Sequence, residues 1–295
     1  MRGSAFLVVG GDSLVGGGLL RALQRRGHPV YASTRRKDTV QGRRLFLDFE
    51  NEAPPALPAD AGYACVVAAA TNYDRCEKDP LARRINAEFV PRTIASLLEQ
   101  GLFVTFISTN SVFGGERPWP NEDDPHAPAI AYARQKDEAE SAIREHACRL
   151  RAAERLNVVR LTKILDENTS PLPAWLAAWK RAEVVQPFSD LIFAPMSVRF
   201  VGESLATLAE KRVPGNLHLS GADNVTYVDL AHTLADRLGV SRSLIAPTTA
   251  VQKGVNIPFK PRYSGLGMRR TTELTGLRPQ PLAGVVDDIA AGQGA

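Results

Sequence analysis

Apolar positions along the chain follow two alternating rhythms. Residues 5–9 form an unbroken apolar run closed by Gly10-Gly11, the pattern of a strand covered on both faces. Residues 14–26 then repeat apolar positions at helical spacing and stop at Gly27. Residues 29–34 and 45–47 predict a second and third strand, and 63–70 a continuous apolar fourth. Residues 81–100 are helical, with Pro91 marking a kink or a restart, because proline removes an amide donor and crowds the preceding turn. A strand over 102–107, a helix over 132–148 and a strand over 157–161 extend the series. Strands alternating with helices pair in parallel and are covered on both sides. The expected fold class is therefore α/β, a doubly wound parallel sheet with helices on both faces.

The alternation is expected to stop after about Thr162. Pro171, Pro173, Pro187 and Pro195 punctuate short elements there, with helices over 201–211 and 227–238. Residues 1–162 are thus expected to form a dinucleotide-binding domain. Residues 163–295 are expected to form a smaller substrate-binding lobe, partly interleaved with the first. The proline-rich stretch 53–58 reads as a loop and residues 291–295 as a frayed end.

The segment Val-Val-Gly-Gly-Asp-Ser-Leu-Val-Gly at residues 8–16 joins the first strand to the first helix. Glycines there permit a tight turn and let backbone amides approach a pyrophosphate at the positive end of the helix. Ser13 stands where the usual pattern has another glycine, and serine is small and able to donate to a phosphate. A tight strand–helix turn without any ligand is the alternative. Its place at the first strand of an alternating chain favours a nucleotide, held by Gly10, Asp12, Ser13, Leu14, Val15 and Gly16. A carboxylate ending the second strand would favour NAD. The chain has Ser33-Thr34-Arg35-Arg36 instead. Thr34 and two guanidiniums suit a 2′-phosphate, so NADP is expected, with NAD left open. Arg35 and Arg36 equally fit solvated loop charges. Asp48 and Phe49 end the third strand where an adenine would lie, although Asp48 also suits a turn cap.

Tyr132 and Lys136 lie four apart in a helical stretch and so share one face. An ammonium beside a phenol favours the phenolate, giving a proton donor and acceptor usable near neutral pH. Ser108 and Thr109 fall just past the carboxyl end of a buried strand, the edge at which open α/β sheets hold ligands. A hydroxyl there polarises a carbonyl, or else only caps a turn.

With the glycine turn, the run Ala-Ala-Ala-Thr-Asn-Tyr-Asp-Arg-Cys-Glu-Lys-Asp-Pro at 68–80, Asn86, Ser108-Thr109, Val112-Phe113 and Tyr132-x-x-x-Lys136, the chain resembles the extended short-chain dehydrogenase/reductases. The segments Phe-Ser-Asp-Leu-Ile-Phe-Ala-Pro at 188–195 and Gly-Asn-Leu-His-Leu-Ser-Gly at 215–221 resemble the dTDP-4-dehydrorhamnose reductase branch. The resemblance implies a Rossmann-type NADP-binding domain and reduction of the keto group of a nucleotide sugar. It implies that Tyr132 gives a proton to the carbonyl oxygen as hydride arrives, that Lys136 binds the nicotinamide ribose, and that Thr109 hydrogen-bonds the same carbonyl. Ala68, Ala69, Ala70, Ser108 and Leu161 would line the cofactor, and Thr71 and Phe113 would meet the substrate. Dehydratases of the family carry an acidic pair after the threonine. Here Asn110 and Ser111 stand there, which argues against dehydration. Two other activities remain in view: an epimerase with tightly held cofactor, and a non-catalytic NADP-binding regulatory subunit of a methionine adenosyltransferase.

Lys163 and Arg199 suit a substrate diphosphate, or are surface charges. Trp175 and Trp179, four apart, fit stacking on a base, or fit a core. Net charge is only +4 over 295 residues and the arginine pairs are scattered, which speaks against a nucleic-acid partner. No apolar run reaches membrane length. The five histidines and three cysteines have no metal spacing. A reducing compartment, the cytoplasm, is expected, with the cysteines buried. A homodimer is left open.

Overall fold

The computed structural model describes residues 4–49 and 58–292. Residues 53–57 of the expected proline-rich loop and 293–295 of the expected frayed end lie outside the described residues. In chain order the first half runs β1 (Ala5–Val9), α1 (Leu14–Arg25), β2 (Val30–Thr34), β3 (Arg44–Phe46), β4 (Ala61–Val66), α2 (Tyr73–Lys78), α3 (Pro80–Arg84), α4 (Val90–Glu99), β5 (Phe103–Thr109), α5 (Ala131–Arg149) and β6 (Leu156–Leu161). The second half runs β7 (Lys163–Leu165), α6 (Leu172–Lys180), β8 (Ile192–Phe193), β9 (Pro195–Ser197), α7 (Val198–Lys211), β10 (Gly215–Leu219), β11 (Val225–Thr226), α8 (Tyr227–Leu238), α9 (Arg269–Thr275) and α10 (Leu282–Gly292).

Among the described residues the main sheet has seven strands in the order β10-β6-β5-β4-β1-β2-β3, every neighbouring pair parallel. This is the expected Rossmann-type α/β sheet. Leu19, Leu23, Val201 and Leu205 cover one face, and Ile94, Leu97, Leu98 and Ile143 the other. The chain leaves β1 in one direction for β2 and returns on its other side as β4. That reversal opens a crevice at the carboxyl ends of β1 and β4.

Three local expectations are corrected. The fourth strand ends at Val66 rather than at residue 70. The amides of both Val67 and Ala68 turn onto the Val9 carbonyl, at 2.9 and 3.1 Å, and Ala70 then leaves the ladder for Asn86. The 81–100 helix is broken before Pro91 rather than at it: a π turn over Ile85–Phe89 precedes α4, whose first turn holds the proline. Finally, alternation does not end at Thr162. α7 and β10 continue it, with β10 pairing alongside β6 from Asn157 to Leu161. The prolines mark an excursion between β7 and β9, not the end of the sheet layer. α7 lies against α1 where two glycines meet: a Cβ on Gly202 would stand 2.5 Å from the Gly18 carbonyl oxygen.

A separate apolar cluster of Leu172, Trp175, Trp179, Leu230, Leu234 and Val286 holds α6, α8 and α10 together. Cys65 and Cys76 are buried as expected; Cys148 is exposed, on the last turn of α5. Among the described residues no helix is long and apolar enough to cross a membrane.

Candidate active site

A cleft of about 620 Å³ occupies the crevice and runs from the glycine turn to the start of α5. Backbone geometry explains the glycines. Gly10 has φ of 96°, and a Cβ there would stand 2.8 Å from the Ala68 amide nitrogen. At Gly16 a Cβ would stand 2.2 Å from the Gly10 carbonyl oxygen. The turn is pinned to β2, since Gly10 N donates to Ser33 Oγ at 2.8 Å and Gly11 N to the Ser33 carbonyl at 3.1 Å. Ser13 caps α1: its Oγ accepts from Gly16 N at 3.1 Å and donates to the Gly10 carbonyl at 2.7 Å. The hydroxyl expected to donate to a phosphate is thus committed to the turn. Leu14 and Val15 line the cleft, and amides at the first two helical positions lack an intrahelical acceptor. That is an anion site on a helix N-terminus.

At the far end of β2, Thr34, Arg35, Asp48 and Phe49 line the cleft. Ala68, Ala69, Ala70 and Thr71 form the opposite wall, held by buried Asn86. Asn86 Oδ1 accepts from Ala70 N, and its Nδ2 donates to the Ala70 carbonyl, each at 2.8 Å. A dinucleotide fits this geometry, because the close approaches at Gly10 and Gly16 leave backbone, not side chains, facing the turn.

Ser108, Tyr132, Lys136 and Leu161 close the other end. Tyr132 and Lys136 sit on the first turns of α5, and Thr109 ends β5. The Thr109 hydroxyl bonds to Ser111 Oγ at 3.0 Å and lies close enough to the Tyr132 phenol to favour its ionised form. Burial, with Tyr73 and Cys76 close by, pushes the phenol pKa well up and outweighs the influence of Thr109. The expected lowering by Lys136 is corrected. Lys136 Nζ donates to the Ile107 carbonyl at 2.7 Å and lies 4.3 Å over the Phe106 ring. Tyr132 therefore keeps its proton through neutral pH.

Burial drives the Lys136 pKa down to about 8, against the pull of Glu140 and Cys76. Its unfolded value is 10.5, so the unfolded chain binds more protons between those values. Stability contributed at this position should therefore rise as pH climbs from about 8 to 10.5. Thermal melts of wild type and Lys136→Met across that range check this; a difference independent of pH would refute it.

Behind the cleft lies a buried ionic network. Ser108 Oγ donates to Glu140 Oε1 at 2.6 Å. Arg160 donates to the same carboxylate through Nε and Nη2, at 3.0 and 2.7 Å, and through Nη1 to the Glu122 carbonyl at 2.9 Å. Arg144 adds a further bond to Glu140. His218 Nδ1 donates to the Gly267 carbonyl at 2.8 Å, so its Nε2 accepts from Arg160. Asn110 does different work: its Nδ2 donates to the Ser264 carbonyl and Oγ, at 2.8 and 3.0 Å.

Seven residues expected at the site do not line the cleft: Gly16, Arg36, Thr109, Phe113, Lys163, Trp175 and Arg199. Gly16 shapes the turn and Thr109 reaches the site through Tyr132. Arg36 is drawn onto Asp12. Phe113 is buried against His126 and His218, with the Arg160 guanidinium 5.1 Å from its ring centre. Trp175 packs edge-on to Tyr227 in the second core. Arg199 pairs with Asp288 at 3.4 Å, and Lys163 is exposed. Sequence reasoning missed Ser33, Val67, Asn72, Ile85 and Ile107 in the lining. It also missed Glu140, although its spacing of four from Lys136 puts it on the same helical face.

A family model described as the RmlD substrate binding domain matches residues 4–291. The chain belongs to this family. Within reach of the family, it is 30% identical over 220 residues to the probable dTDP-4,6-dihydroxy-2-methyloxan-3-one 4-ketoreductase of Streptomyces antibioticus, covering 72% of this chain and 71% of that one. It is 28% identical over 198 residues to methionine adenosyltransferase 2 subunit beta of Pongo abelii; that match spans 62% of this chain and 56% of the relative. Its fold is that of the dTDP-4-dehydrorhamnose reductase of Bacillus anthracis, solved in complex with NADP, with a TM-score of 0.80 at 19% identity, covering 99% of this chain and 100% of that one. Family and fold agree with the resemblance drawn from the residues.

Proposed function

We propose that this member of the RmlD substrate binding domain family is an NADP-dependent reductase of a keto group in a nucleotide sugar, with NAD as the weaker cofactor. The observation that carries this reading is that Ser108, Tyr132 and Lys136 meet at one end of a cleft that begins in a pyrophosphate-type turn, with Thr109 behind Tyr132. Similarity to the Streptomyces antibioticus 4-ketoreductase supports the substrate class. In this reading residues 1–162 hold the dinucleotide and 163–295 supply the substrate-facing lobe, interleaved with the first through α7 and β10.

When bound, the dinucleotide would supply a hydride to the carbonyl carbon. The chain does the rest. The amides of Leu14 and Val15 hold the pyrophosphate, and Ala68 to Ala70 hold the ring system against the sheet. Tyr132 would hydrogen-bond the substrate oxygen and fix its direction, with Thr109 acting on the phenol from behind. Tyr132, protonated at working pH, releases its proton to that oxygen. Lys136, one helical turn away and held by the Ile107 carbonyl on the same wall of the cleft, would meet the nicotinamide ribose. Ser108, tied to Glu140, fixes the strand end beneath them.

Mixing the protein with NADPH and a panel of dTDP- and UDP-4-keto sugars should consume nicotinamide absorbance with at least one of them. NADPH binding without turnover on any member would sink the reductase reading. Similarity to the Pongo abelii subunit favours a second reading, a nucleotide-binding regulatory subunit. Stoichiometric capture of a methionine adenosyltransferase, with no turnover, would select it.

A further inference from the structure

The carboxylate absent from the end of β2 in sequence is supplied there in space. Asp12 projects from the glycine turn, and its Oδ2 accepts from Thr34 Oγ1 at 2.6 Å. Its Oδ1 pairs with Arg36 at 3.2 Å and with Arg44. The reach follows from the turn's packing: with Gly10 and Gly11 both bonded to Ser33, the next residue stands against Thr34. Asp12, Thr34 and Arg35 all line the cleft. An ionised carboxylate offers about four acceptor sites. Three are used by Thr34, Arg36 and Arg44, which leaves one unused on a carboxylate that lines the cleft.

We propose that Asp12 is the residue that sets the ratio of NADP to NAD, accepting a ribose 2′-hydroxyl directly and competing with a 2′-phosphate for Arg36 and Arg44. This rests on reading the cleft as a dinucleotide site. Of the two arginines read from sequence as a phosphate clamp, Arg36 is already neutralised in part, because it shares the Asp12 carboxylate with Arg44. Arg35 lines the cleft, whereas Arg36 and Arg44 stand behind it on Asp12, and among the described residues Arg35 makes no ion pair. A 2′-phosphate entering there meets Arg35 unopposed and must draw Arg36 and Arg44 from Asp12, whose own charge repels it. A 2′-hydroxyl meets no such competition. The chain therefore takes both dinucleotides, and Asp12 keeps the preference for the phosphorylated one small.

The test is binding, not turnover. Nicotinamide fluorescence titrations give the Kd of NADPH and of NADH for wild type and Asp12→Asn at fixed ionic strength. Removing one charge that lies within a few ångströms of the phosphate should raise the preference for NADPH about tenfold. That gain should shrink as salt is added. Asp12→Ser, too short to bridge both arginines, should shift the ratio the same way and covers the case in which the asparagine variant misfolds. Both nucleotides binding to the variants with an unchanged ratio would overturn the assignment of Asp12 alone. No binding of either nucleotide to the wild type would overturn the dinucleotide reading and the assignment with it.

Discussion

Replacing Tyr132 by phenylalanine should lower turnover by about 10²–10⁴-fold while leaving dinucleotide affinity nearly unchanged. The ring stays packed against Tyr73, whose centroid is 5.5 Å away, so the wall of the cleft is kept. What is lost is one O–H donor in the lining of the cleft. The phenol's pKa is raised by burial and by Tyr73 and Cys76, so the hydroxyl starts each cycle protonated, the form a proton donor needs. Phenylalanine cannot replace that proton. Single-turnover absorbance traces alongside nucleotide titrations separate the two effects. An equal loss in affinity and turnover would mean that Tyr132 only shapes the cleft.

Truncating Glu140 to alanine should destabilise the fold by about 3–5 kcal/mol, the cost of leaving a buried partner charge unpaired. Side-chain exposure is 1% for Arg160 and 0% for Glu140, so no solvent can take over. Burial alone would raise the Glu140 pKa, but Arg160, Ser108 and Arg144 outweigh it and hold it at about 2. His218 is driven to about 3 by burial and by Arg160. Both folded values lie below the unfolded ones of 4.5 and 6.5, so the unfolded chain binds the extra protons. Their stabilisation is complete above about 6.5 and fades as pH falls toward 2–3. Denaturant melts of wild type and Glu140→Ala should therefore differ most near neutrality and converge in acid. A gap that persists unchanged into acid would show that the loss is one of packing rather than of charge.

The sheet was legible because strands buried on both faces carry unbroken apolar runs, as at residues 5–9 and 61–66. The end of the fourth strand was not. Val67 to Ala70 are as apolar as what precedes them, and what detaches them is Asn86, 16 residues on. The Tyr132–Lys136 pair was legible as a pair but not in its electrostatics. Spacing places two side chains on one face; it does not say that the Ile107 carbonyl and the Phe106 ring will claim the ammonium. Arg36 shows the same gap, since a local motif cannot reveal that Asp12 and Arg44 arrive from two other segments. Trp175 and Arg199 could not be assigned from spacing, because their surroundings are set by α8 and α10, more than 50 residues away.

The pairing of β10 with β6, and the close seat of α7 on α1, tie the outermost part of the sheet to the late part of the gene. A protein stopped at residue 162 would present a bare hydrogen-bonding edge and an uncovered apolar helix face, an invitation to aggregate. Grafting residues 1–162 onto a foreign second half would therefore leave that edge and that face without the strand and helix that cover them.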